Sequence, residues 1–227
     1  MTVTTTSLTR AAGISAAVAG AIFVGVQIGH PPMNVASVET TEWVVRSTAK
    51  IVMAALALVG LTGIYLRQVR QIGVLGLIGY LVFGAGYLLM FAVEVIAATV
   101  LPSLTTTMPA YVNDVVVAAA GESPVGSIGG LQNVLNVAGM GFIAGGLIFG
   151  IALFRANVLS RWASALLALA AVGTLALAVL PEAFNRPMAV PTGLALIGLG
   201  VSLWRDQRTP AAAPAPTAVA TERVAVR

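Results

Sequence analysis

Between Lys50 and Arg67 the chain passes through sixteen residues without a charge, and long uncharged apolar runs of this kind recur along its whole length. An apolar run of about 20 residues has few outlets other than a helix across a lipid bilayer, because backbone polar groups there must be satisfied within the segment. Six such segments stand out, at about 11–29, 44–66, 72–101, 128–154, 162–180 and 188–204. The sixth is the shortest and carries Pro191 near its start, where a first helical turn tolerates proline. Only 9% of the 227 residues are charged and 58% are hydrophobic, too little charge to cover a soluble domain of this length. The fold class expected is therefore all-α, a polytopic transmembrane helical bundle of six spans.

Basic residues give the orientation. In a six-span thread Arg10, Arg67, Arg70, Arg155, Arg161, Arg205, Arg208, Arg223 and Arg227 fall on one side, and Arg46, Lys50 and Arg186 on the other. The positive-inside bias then puts both termini in the cytoplasm. The formal charge of +4 is read as this topology signal rather than as a nucleic-acid surface, since no basic run with interleaved aromatics is present. Residues 1–10 are expected as a cytoplasmic tail, 11–204 as the six-helix domain, and 205–227, rich in Ala and Pro, as a disordered cytoplasmic tail. Within the outer loop 102–126, the stretch MPAYVNDVVVAAAG is apolar but too short to span, and is expected as an interfacial helix or a plug over the bundle.

Helices in lipid associate through close backbone approach rather than by hiding leucine. Helix one offers Gly13, Ala17, Ala21, Gly25 and Gly29 at four-residue spacing, and segment four offers Gly141 with Gly145 and Gly146 with Gly150. These are the expected contact faces. Leu167 is expected to face lipid.

One carboxylate, Glu94, stands inside a span. It lies 24 residues beyond Arg70, about 36 Å along a helix, which places it near the outer interface. Lys50, Arg46, His30, Gln27, Gln132, Asn133 and Asn136 fall near the same level, and Tyr87 shares a helix face with Glu94. Three readings follow. Glu94 closes an interhelical salt bridge, with Lys50 favoured over Arg46 because Lys50 begins the uncharged part of its segment. The cluster could instead form an outward-facing pocket for a lipid or a small polar ligand. A proton relay through Glu94 and His30 is the third.

The stretch GGLIFGIALFRANVLSRWASALLALAAVG, with Gly150, Arg155, Ala156, Arg161, Trp162 and Ala163, resembles a pattern of small multi-pass membrane proteins of high-GC, actinobacterial-type bacteria, a family of unknown function. The sequence GHPP after helix one, and Glu94 eight residues before Pro102, are similar too. The resemblance implies a bacterial cytoplasmic membrane protein and carries no catalytic residues.

The chain has no cysteine and a single histidine, which excludes thiol chemistry, thiolate metal sites and multi-histidine cages. No cofactor or metal is expected, and no enzymatic motif is present. The expected function is a non-catalytic membrane protein that binds a lipid, small molecule or partner protein at the outer polar cluster. The alternative is a small-molecule or proton-coupled transporter.

Overall fold

The computed structural model describes residues 3–176 and 185–206, and among them every regular element is an α-helix. Pro181, Glu182 and the chain beyond Asp206 lie outside the described residues; of the expected tail 205–227 only Arg205 and Asp206 are described, and they end the last helix. Six long helices make the body: α1 (Thr5–Gly25), α3 (Thr41–Arg67), α4 (Val69–Thr99), α7 (Gly130–Ala156), α8 (Arg161–Ala176) and α9 (Asn185–Asp206). Three short ones, α2 (Val35–Val38), α5 (Leu101–Leu104) and α6 (Pro109–Ala119), lie in the connections.

Local chemistry sets the ends. Thr4 and Ser7 form a reciprocal capping box, so α1 starts ahead of the apolar run, inside the stretch expected as a tail. Thr40 caps α3 by accepting from the Trp43 N–H at 3.2 Å. Gly73, at φ +62°, breaks the first turn of α4 away from the rest, a conformation that glycine adopts without a Cβ clash. Asn157 in the left-handed region closes α7. Helix α9 begins at Asn185, so Pro191 stands inside it rather than in its first turn.

The long helices pack in sequence order into a closed ring, α1–α3–α4–α7–α8–α9 and back to α1. Successive helices run antiparallel, so α1–α3–α4 and α7–α8–α9 are two three-helix halves of opposite sense. Phe23, Met53, Phe83, Tyr87, Phe149, Leu196 and Leu199 belong to one buried cluster that fills the middle. Five of the six ring helices are long and apolar enough to cross a membrane, which is compatible with a multi-pass membrane protein. Helix α8, with 16 residues described, is shorter. The segment thought shortest, α9, is therefore among the five, and the described part of the fifth segment is the short one.

Small residues build the ring contacts. A methyl added at Gly13 would lie 2.8 Å from the Gly200 carbonyl of α9, and one at Gly86 would lie 2.7 Å from the Phe142 nitrogen of α7. Gly60 meets Ala16 between α3 and α1, Gly150 meets Ala168 between α7 and α8, and Gly198 meets Trp162 between α9 and α8. The α3–α4 contact is different: Tyr80 stacks on Tyr65 at 4.7 Å and its hydroxyl shares a 2.9 Å hydrogen bond with Thr62.

The glycines of the fourth segment, now α7, pack as expected, but the α1 stripe packs only in its first part. Gly13 is buried, whereas nothing lies within 4 Å of a Cβ on Gly25, and Gly29 is past the helix at φ +61°. A four-residue step overshoots the helical repeat by about 40°, so four steps carry the stripe about 160° round the helix. The face that packs is Ala12, Gly13, Ala16, Ala19, Gly20 and Phe23. Leu167, expected toward lipid, is also in the core at 1% exposure, while Leu169 on the same helix is 66% exposed.

Candidate functional site

The two ends of the ring differ in charge. Arg10, Arg67, Arg70, Arg155, Arg161 and Arg205 gather at one end, by their positions on the antiparallel helices. The opposite end is covered by α2, α5 and α6. There Val38, Trp43, Leu101, Val112, Val116 and Ile128 form a second buried cluster, so α6 is a cap seated on the bundle. Trp43 anchors this layer by donating its indole N–H to the Ala97 carbonyl at 2.9 Å. The Asp114 carboxylate of α6 accepts from the N–H groups of Val125 and Gly126, at 3.1 and 3.0 Å, and ties the following loop to the cap.

A polar layer lies beneath. Lys50 Nζ of α3 stands 3.1 Å from Glu94 Oε1 of α4, with side-chain exposures of 17% and 14%. The pair forms because the antiparallel hairpin sets the start of α3 beside the end of α4. This is the interhelical pair that the positions of the two residues suggested, and Lys50 rather than Arg46 makes it. Arg46, one turn earlier, turns to the end of α1. It donates from Nη1 to the carbonyls of Val26 and Ile28, at 3.1 and 3.0 Å, and from Nη2 to that of Gly29 at 3.0 Å. Helix C-termini leave such carbonyls unpaired and carry partial negative charge, so a guanidinium there is doubly favoured. Its Nε meets the exposed Glu42 carboxylate at 2.8 Å.

His30 donates from Nδ1 to the Pro31 carbonyl at 2.8 Å, since a carbonyl can only accept. Its pKa is lowered to about 4, chiefly by burial, with the charges of Lys50, Arg186 and Arg46 adding to the effect against the Pro31 hydrogen bond. The imidazole is therefore neutral near pH 7. Gln27 accepts from Arg186 Nη1 at 3.4 Å.

Arg186 was missed as a member of this layer. In the sequence it reads only as a topology charge, but it opens the last span, and ring closure brings α9 against α1. The described layer thus holds three cations, Arg46, Lys50 and Arg186, against Glu94 within and Glu42 at its exposed edge. Glu182 lies outside the described residues.

Other expected members stand apart. Gln132 donates to Asn136 along α7 at 3.1 Å on an exposed face, and Asn133 is exposed. Gln132 is nine residues before Gly141, about 180° round the helix from the face that packs on α4. Tyr87 is fully buried among aromatic rings, 5.0 Å from Phe83 and 5.4 Å from Phe142, and its hydroxyl has no hydrogen-bond partner among the described residues. It belongs to the apolar centre.

Between the layer and the cap is a cavity of about 40 Å³, lined by Met33, Trp43, Glu94, Leu101, Val116 and Leu135 among others. That volume admits a few waters and is far below the several hundred Å³ of a typical small-molecule pocket. A larger ligand does not fit in this cavity; Arg46, Arg186 and His30 lie at the rim of the layer. Comparison with family models, curated proteins and solved structures found no match to this chain.

Proposed function

We propose that this is a non-catalytic bacterial cytoplasmic membrane protein of six spans, with both termini cytoplasmic, that binds a small anion or anionic headgroup at the rim of its outward-facing polar layer. The ring supports six spans, three in each direction, with α8 in the position between α7 and α9 although only 16 of its residues are described. Orientation follows from the basic residues: six described arginines at one end are met by Asp206 alone among described acids there. The kinship with small multi-pass proteins of high-GC bacteria is part of this reading.

The observation that carries the binding function is the charge of the layer. Three cations lie close enough to depress His30, and the one carboxylate inside the layer is already engaged by Lys50. Arg186 hydrogen-bonds an amide oxygen, and Glu94, already paired with Lys50, is the described carboxylate whose charge reaches it. A partly buried cation of this kind is stabilised by an incoming anion. The test is native mass spectrometry and thermal shift of the purified protein against a panel of small anions and lipids, with Arg186→Gln alongside. Retention of an anionic species that the variant loses supports the reading. No retained species, or equal retention by both proteins, would refute it.

One observation favours transport as a second reading. Two three-helix halves of opposite sense are the arrangement on which many secondary transporters are built. Against it, aromatic and leucine side chains fill the centre of the ring, and the polar groups lie at one end.

A further inference from the structure

The turn from α7 into α8 and the last turns of α9 enclose a groove of about 520 Å³ at the arginine end of the ring, remote from the polar layer. Its lining mixes two chemistries. Ser160, Ser202 and Arg205 supply donors, Trp162, Ile197 and Val201 supply apolar surface, and the Asp206 carboxylate, paired with Arg67, also lines the groove.

The local structure keeps this groove in shape. The Ser160 N–H donates to Ser202 Oγ at 3.0 Å and ties the start of α8 to α9. That bond uses an acceptor site of the Ser202 hydroxyl and leaves its proton free to donate. Trp162 lies over Gly198, where a Cβ would come within 2.5 Å of the ring, yet the residue is 61% exposed. An exposed tryptophan at the end of an apolar helix is the mark of a membrane interface. Arg205 is exposed and has no carboxylate partner among the described residues, while its neighbour Asp206 is held by Arg67.

We infer that this groove binds the phosphate-bearing headgroup of an anionic lipid. Arg205 and the hydroxyls of Ser160 and Ser202 meet the phosphate, and Trp162 with Ile197 and Val201 lies along the first carbons of the acyl chains. The volume suits a headgroup. The sign of the charge suits an anionic leaflet, to which basic residues near a membrane surface are drawn. The inference rests on the reading of the ring as membrane-embedded, but not on its orientation or on the polar layer.

The experiment uses the full chain in detergent with equal amounts of phosphatidylglycerol and phosphatidylcholine, read by native mass spectrometry. Wild type should retain the anionic lipid over the zwitterionic one by about fivefold, the factor one arginine supplies near an anionic surface. Arg205→Gln should bring the ratio to about one, and Arg205→Lys should restore most of it. Arg10→Gln, at the same end of the ring, should leave the ratio unchanged. Inorganic phosphate, added alone, tests whether the site takes a free anion instead.

No lipid preference in wild type would overturn the inference, as would equal loss in Arg10→Gln and Arg205→Gln. Retention of inorganic phosphate without any lipid preference would overturn it too. Reconstitution into vesicles separates the two readings. A chain that fails to insert removes the membrane assignment, whereas one that inserts without a preference removes the groove alone.

Discussion

Lys50 and Glu94, 44 residues apart in the chain, form an ion pair whose two side chains are largely withdrawn from solvent. Taking two charges out of water is costly, and their mutual attraction offsets that cost only while both are present. Glu94→Gln and Lys50→Met should each lower the melting temperature in detergent, and the double variant should lose less than the sum. We expect a coupling of about 1–3 kcal/mol, the range for directly interacting partners. Additive effects in the double-mutant cycle would mean that each residue is held by something else.

The glycine contacts give a sharper test, because two glycines on one helix are predicted to behave oppositely. A side chain on Gly20 would run into the backbone of Gly193 and Ile197 in α9, whereas one on Gly25 meets nothing within 4 Å. Gly20→Leu should force α1 and α9 apart at a cost of about 1–3 kcal/mol or more. Gly25→Leu should be close to neutral. Thermal unfolding in detergent measures both, and equal losses would contradict the α1–α9 contact.

These residues also mark how far the sequence can be read. Glu94 and Lys50 could be paired in advance because each is the only one of its kind at its place in a span, and burial leaves a charge few partners. The helix-one stripe could not be placed by counting in fours, because the true repeat of 3.6 moves Gly25 off the face of Gly13. Leu167 and Leu169 look alike in sequence and differ wholly in burial, since a lipid-facing leucine and a core leucine are equally apolar. Arg186 joined the polar layer only through closure of the ring, a relation between the first and last helices that no local pattern encodes. Helix α6 was legible because the apolar stretch MPAYVNDVVVAAAG, residues 108–121, is too short to span, and the helix occupies 11 of its residues.

His30 is the only histidine, so its titration is directly observable by NMR of the imidazole protons. With a folded pKa of about 4 and an unfolded value near 6.5, the unfolded chain binds a proton more readily between those values. Its contribution to stability is therefore fully present above about pH 6.5 and is lost as pH falls toward 4. Arg186→Gln removes one of the three positive charges that act on His30 and should raise the midpoint, by less than burial lowers it. A midpoint near 6.5 in the folded protein would show that His30 is solvated and that the three cations do not converge on it.

Arg46 supports the end of α1 by geometry more than by charge. Its guanidinium reaches three carbonyls and the Glu42 carboxylate at once, which a planar fork can do and an ammonium cannot. Arg46→Lys keeps the positive charge and loses most of those hydrogen bonds. If the residue served only to balance charge, the lysine variant would match wild type. If it caps the helix, the lysine variant should lose about 1–2 kcal/mol, close to the loss in Arg46→Met. Amide hydrogen exchange at Val26, Gln27 and Ile28, whose N–H groups bond back into the end of α1, locates the effect. Their protection should fall in both variants while that of Met53 and Ala54, in the buried middle of α3, is unchanged. Wild-type protection at Ile28 in the lysine variant would assign Arg46 to the surface charge of the layer instead.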